Sequence, residues 1–130
     1  MQATGEFEVN LQPLEAYAPG SDGVSLGRMS INKTFQGDLA AISIGEMLTA
    51  MTAVEGAAGY VAIEQVSGTL RGKRGTFVLQ HFGIMNARES RLVLEVVPDS
   101  GTAELTNLAG RMTIHVEHGK HTYIFEYELP

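Results

Sequence analysis

Residues 59–85 read Gly59-Tyr-Val-Ala-Ile-Glu-Gln-Val-Ser-Gly-Thr-Leu70, then Arg71-Gly-Lys-Arg74, then Gly75-Thr-Phe-Val-Leu-Gln-His-Phe-Gly-Ile-Met85. Two β-rich runs flank a short basic turn, which is the signature of a hairpin. Four polar residues, Glu64, Gln65, Gln80 and His81, stand in the middle of these apolar runs. A buried polar group costs free energy unless it is paired, so these positions need partners. A two-residue turn at Gly72-Lys73 places Arg71 opposite Arg74, Val66 opposite Leu79 and Glu64 opposite His81. Glu64 and His81 then share a face with Tyr60, Ala62, Val66, Phe77, Leu79 and Met85. Gln65 and Gln80 fall opposite each other on the second face, with Val61, Ile63, Val78, Phe82 and Ile84. Tyr60 and the small Gly68 and Gly83 favour the Glu64 face as the inner one. The opposite assignment puts the Gln65 face inside.

The same period of two extends along the chain. Phe7, Val9 and Leu11 alternate with Glu6, Glu8 and Asn10. Residues 12–25 carry Pro13, Pro19, Gly20 and Gly23, and form the longest irregular segment. Met29, Ile31 and Phe35 share a face with Lys33, and a turn follows at Gln36-Gly37-Asp38. Residues 39–52 are apolar almost throughout and read as a strand. Residues 91–97 form another, stopped by Pro98-Asp99-Ser100-Gly101. Residues 102–108 suit one helical turn or a loop. A last hairpin turns at Gly119-Lys120, which places Val116 opposite Tyr123, Ile114 opposite Phe125 and Met112 opposite Tyr127. About eight strands in sequence, with no long helix, predict an all-β antiparallel meander in one domain, residues 1–130. Closure into a small barrel removes the exposed edges that an open meander would carry.

Composition narrows the function. A 44% apolar and 18% charged chain of 130 residues suits a folded domain. The net charge of −6 opposes nucleic-acid binding, because phosphates require a concentrated basic surface. Arg71, Lys73 and Arg74 read as a solvated turn. With no cysteine there is no thiolate chemistry, no disulfide and no sulfur-ligated metal. The N-terminus alternates and lacks the apolar run of a signal peptide. No stretch is apolar over the roughly 20 residues of a membrane helix. The expected location is cytoplasmic. No Gly-rich phosphate loop or nucleophile elbow appears. His115, His118 and His121 read as solvated hairpin residues, and no metal or cofactor is expected.

Several stretches together resemble a bacterial family known as domain of unknown function 3224. They are Gly37-Asp38-Leu39, Gly45-Glu46-Met47-Leu48, Gly59-Tyr60-Val61-Ala62-Ile63-Glu64 and Gly75-x-Phe77-x-Leu79-Gln80-His81. Pro98-Asp99-Ser100-Gly101-Thr102-x-Glu104-Leu105 and His121-x-Tyr123-x-Phe125-x-Tyr127-x-Leu129 complete the set. The resemblance implies a calycin-like barrel similar to plant allene oxide cyclase. Those enzymes bind a lipid-derived epoxide in the barrel and close a ring. No local motif carries their catalytic residues onto this chain, and the family itself implies no activity.

The expected ligand is a small apolar or amphipathic molecule held inside the barrel. Tyr60, Tyr123, Phe125 and Tyr127 are the expected lining, with Glu64 and His81 at its polar end. Lys33 and Glu46 are further ligand-contact candidates. A carboxylate beside an imidazole fixes the imidazole's tautomer and supports proton transfer. An isomerase or cyclase using Glu64 and His81 is therefore one alternative. A barrel packed full, with the pair as a structural contact, is the other. The apolar second face predicts a homo-oligomer, dimer or trimer, with Gln65, Gln80 and Phe82 in its interface.

Overall fold

The computed structural model describes residues 1–130. Alternating sequence becomes eight strands: β1 (Gln2–Leu14), β2 (Ser25–Gly37), β3 (Leu39–Met51), β4 (Ala58–Leu70), β5 (Lys73–Met85), β6 (Ser90–Val96), β7 (Ala109–Glu117) and β8 (Lys120–Glu128). Each pairs antiparallel with its neighbour in sequence, and β8 returns to β1, so the meander closes into a barrel as expected. The segment after β6 forms a single 3-10 turn, Ala103–Leu105. No helix is long and apolar enough to cross a membrane.

Both predicted hairpin registers are displaced by two residues. In β4–β5 the turn is Arg71-Gly72, and Leu70 pairs with Lys73. In β7–β8 it is His118-Gly119, and Glu117 pairs with Lys120. Arg71, Gly72, His118 and Gly119 all have positive φ. This is the pattern of the type I′ turn, which favours glycine at its second central position and matches strand twist. A two-residue shift keeps every side chain on its predicted face. Glu64 and His81 therefore share a face but stand diagonally, because Glu64 pairs with Leu79 and Ala62 with His81. Gln65 and Gln80 are likewise diagonal neighbours, opposite Val78 and Ile63. Ile114 stands opposite Tyr123, and Met112 opposite Phe125.

The Glu64 face is the inner one. Burial along it falls steadily from one end of the barrel to the other. At one end Leu39, Leu70, Phe77, Phe125 and Tyr123 are all buried to within 1% of full enclosure. Leu105 and Leu108, carried by the 3-10 turn and the loop after it, seal that end. Thr76 and Thr102 bond through both backbone and side chain, and Val78 N–H donates to Ser100, so this loop covers the lower edge of β5. Arg71 is more than a solvated turn residue here. It donates to the Gln2 carbonyl at 2.7 Å and pairs with Asp38, which accepts from Thr4 N–H.

At the other end the inward positions open. Met29, Met47, Tyr60, Met85 and Ile114 are half-buried, while Leu11, Leu92 and Val116 are 40–62% exposed. The barrel wall also parts there. Strands β6 and β7 pair only at Leu94–Met112 and Glu95–Arg111, which leaves the upper parts of both strands unpaired with each other.

One side chain ties the closed end together. The Tyr123 hydroxyl accepts from Leu39 N–H and donates to the Gln36 carbonyl, each at 2.9 Å. Tyr123→Phe strands a fully buried N–H, at a cost of about 1–3 kcal/mol. The urea midpoint is expected to fall by roughly 1 M at ordinary slopes. An unchanged midpoint would show that the hydroxyl does not hold the β2–β3 turn.

Candidate functional site

A chain of polar side chains crosses the middle of the barrel. Glu64 on β4 is its centre and is completely buried. Its Oε1 accepts from the Ser43 hydroxyl on β3 at 2.6 Å. Its Oε2 meets Lys33 Nζ from β2 at 3.0 Å and His81 Nε2 from β5 at 2.8 Å. Lys33 is itself buried, and its ammonium lies 5.0 Å and 5.7 Å from the ring centres of Phe7 and Phe35. The Lys33 backbone N–H donates to the Ser43 hydroxyl at 3.2 Å. On the far side of the imidazole, His81 Nδ1 lies 2.8 Å from the Tyr60 hydroxyl. No buried side-chain nitrogen or oxygen in the protein lacks a partner.

Local sequence explains why these groups converge. Lys33 pairs directly with Ser43, and Gly45 directly with Glu64. A Cβ at Gly45 would lie 2.1 Å from the Ile63 carbonyl and 2.8 Å from the Glu64 Cβ, so glycine lets β3 and β4 close around the carboxylate. Gly83 does the same for Tyr60. A Cβ there would stand 2.5 Å from the Tyr60 ring, which lies across β5 at this point. The ring also meets His81 edge-on, with centroids 5.4 Å apart.

Hydrogen bonding fixes the proton positions. Burial pushes the Glu64 carboxyl upward, but the His81 hydrogen bond, the Lys33 charge and the Ser43 hydroxyl outweigh it and hold the group at about 2. Glu64 is thus an ionised acceptor with no proton to give. In the neutral imidazole, Nε2 must then carry the hydrogen and Nδ1 must accept. With the imidazole in that neutral form, Tyr60 is the donor to His81. Burial first, and the Glu64 charge second, push the Tyr60 hydroxyl up to about 12, so it keeps its proton. With its hydrogen committed to His81, the Tyr60 oxygen keeps free lone pairs, and the residue is half-buried near the open end. Geometrically this is a hydroxyl–imidazole–carboxylate relay, in which a carboxylate orients a base.

The sequence candidates separate into three groups. Tyr60, Glu64, His81 and Lys33 come together. Tyr123, Phe125 and Tyr127 lie in the packed half instead of lining a cavity: Phe125 stacks between Phe77 and Tyr127, and Tyr123 meets Phe35 edge-on. Large aromatic rings fill that half of the barrel. Glu46 is on the outer face, where it pairs with Arg28, because Gly45 and Met47 take the inward positions of β3. Gln65, Gln80 and Phe82 also face outward, the two glutamines exposed and Phe82 half-buried. Ser43 escaped the sequence reading, since a serine in an apolar run draws no attention until its pairing with Lys33 is known. His121 turns inward against Phe7, while His118 remains in the exposed turn beside Glu117.

Comparison with known proteins places the fold. The sequence profile of "Protein of unknown function (DUF3224)" matches residues 3–127. The chain belongs to the DUF3224 family. A crystal structure of a DUF3224 protein of unknown function from Shewanella oneidensis is 58% identical, with a TM-score of 0.96 over 100% of this chain and 98% of that one. Nothing among curated proteins matches the chain. The DUF3224 relationship thus carries the architecture and leaves the chemistry to be argued from the side chains.

Proposed function

We propose that this DUF3224 protein binds a small amphipathic molecule at the open end of its barrel. The observation that carries the reading is the Tyr60–His81–Glu64 relay, which sets a hydrogen-bond acceptor near the barrel end where the inward apolar side chains are least buried. Small-molecule sites combine such an apolar lining with a few placed polar groups. Leu11, Leu92, Met85, Ile114 and Val116 supply the apolar part. The Tyr60 oxygen accepts a hydrogen bond, so it selects a head group that donates one, such as a hydroxyl. The parted β6 and β7 strands give an extended tail a lateral way in. The resemblance to the calycin-like allene oxide cyclase barrel points toward a lipid-derived ligand by analogy of fold.

The same relay favours a second reading, an isomerase or cyclase. A proton leaving a bound substrate passes to the Tyr60 oxygen as the Tyr60 proton passes to His81 Nδ1. The resulting imidazolium is stabilised by Glu64. Such transfer needs no free tyrosinate, which accords with a hydroxyl held at about 12.

An NMR titration with 1-octanol and octyl methyl ether tests both readings. The alcohol is expected to shift resonances of Tyr60, His81, Leu92 and Ile114 saturably, and the ether to bind at least several-fold more weakly. Tyr60→Phe should erase the difference. Equal behaviour of alcohol and ether would sink the donor-selective site. For the enzyme reading, a bound alkyl ketone should exchange its α-protons with deuterated water faster than with His81→Ala. Equal exchange would leave binding alone.

A further inference from the structure

The outer surface of the barrel has two unlike sides. On β1, β7, β8 and most of β2 it is polar, with Glu6, Glu8, Arg111, Glu117 and Glu126 among its side chains. On β3 and on the halves of β4 and β5 toward Gly59 and Met85 it is largely apolar. Ile42, Ile44, Leu48, Val61, Ile63 and Ile84 point outward there and are 49–66% exposed. Two adjoining grooves, of about 560 and 660 Å³, run along this side and share Leu48, Val61 and Phe82.

We infer that this face packs against the same face of a second copy of the chain, forming an isologous dimer. Three observations select that occupant. The first is area. The six aliphatic side chains alone expose on the order of 600 Å², the upper limit of the largest patch on a typical monomer. With the flanking Gln65, Gln80 and Phe82, the face approaches the roughly 800 Å² that each partner commits to a stable interface. The second is charge. The chain carries −6, yet the central part of this face holds one anion, Glu46, already matched by Arg28 at its rim. Two copies can therefore approach here without bringing like charges together, which the acidic sides do not permit. The third is self-complementarity. A two-fold interface sets a surface against itself. Aliphatic rows on a twisted sheet meet their own kind, as in sheet-on-sheet packing. The Gln65 and Gln80 amides each donate and accept, so each can bond its symmetry mate or the other.

The six aliphatic side chains point away from the barrel interior, but Tyr60 borders one groove and His81 the other, so this face adjoins the proposed ligand site. Mass reports the dimer and the octanol titration the ligand, and each can fail alone. Sedimentation equilibrium of the full chain at micromolar concentration tests the dimer. The expected mass is twice 14.0 kDa. Ile44→Lys combined with Ile63→Lys should return the mass to that of one chain. Both positions are solvent-facing in the single chain, so circular dichroism should be unchanged. Wild type sedimenting as a monomer or a trimer would overturn the inference, as would a dimer untouched by the paired substitution. A monomer that floats with neutral lipid vesicles would also overturn it, and would assign the face to a membrane surface.

Discussion

Glu64→Gln is expected to lower the unfolding free energy by about 3–5 kcal/mol, the usual cost of removing one partner from a buried ion pair. The glutamine keeps the shape of Glu64 but removes its charge. Lys33 is then a buried cation without a counter-charge, beside a neutral amide and the Phe7 and Phe35 rings. The amide oxygen can still accept from Nζ and Nε2, with its NH2 turned to the Ser43 hydroxyl, but a neutral acceptor does not balance the Lys33 charge. Urea denaturation monitored by tyrosine fluorescence and far-ultraviolet circular dichroism measures the loss. A second variant gives the result its meaning. Lys33→Met with Glu64→Leu removes both charges and replaces them with apolar side chains of similar size. Replacing a buried pair in this way is often neutral or stabilising by about 1–4 kcal/mol. If the double variant recovers wild-type stability, the pair is not what holds the barrel together, and its retention fits a working site. If the double variant is as unstable as Glu64→Gln, the cluster is structural and the case for a site built on it fails. Wild-type stability in Glu64→Gln itself would mean that Glu64 is not ionised in the fold.

How much of this was legible follows from what sequence patterns encode. Alternation fixes which residues share a face, so Glu64, His81 and Tyr60 could be gathered without coordinates, while Lys33 could be placed only on the apolar face of its own strand. Register is a finer quantity, set by turn geometry. Two-residue turns could be assumed, but the choice of Arg71-Gly72 over Gly72-Lys73 depends on both central residues taking positive φ. The error was an even number, so faces survived and partners did not. At the β2–β3 turn, Gly37 and Leu39 flank Asp38, and the pairing of Lys33 with Ser43 cannot be counted from a two-residue rule. Glu46 was misplaced because its strand is apolar on both faces, which erases the alternation that would reveal its side. Tyr123, Phe125 and Tyr127 were assigned to the interior correctly. Whether an interior is filled or hollow, however, depends on how side-chain volumes sum across eight strands, which no single segment reports.

Acid should expose Glu64 most directly. Its carboxyl is held at about 2 in the fold, against an ordinary 4.5. Between those values the unfolded chain binds a proton that the folded chain refuses, so stability rises with pH across this window. The contribution is complete above about pH 5, falls by about 2 kcal/mol at pH 3 and by about 3 kcal/mol at pH 2. Other carboxylates also titrate there, so the wild-type curve alone does not isolate the effect. The Lys33→Met, Glu64→Leu double variant does, since it lacks this group and retains the other acids. The wild-type denaturation midpoint, measured from pH 6 downward, should therefore fall more steeply than that of the double variant, whichever is the more stable at pH 6. Parallel curves would show that Glu64 titrates alike in the folded and unfolded chain. In that event the Lys33, Ser43 and His81 contacts would not be holding a charge, and Tyr60 would no longer be confined to donating inward. The orientation of the Tyr60 lone pairs, on which the preference for a hydrogen-bond-donating ligand rests, depends on that ionised carboxylate two groups away.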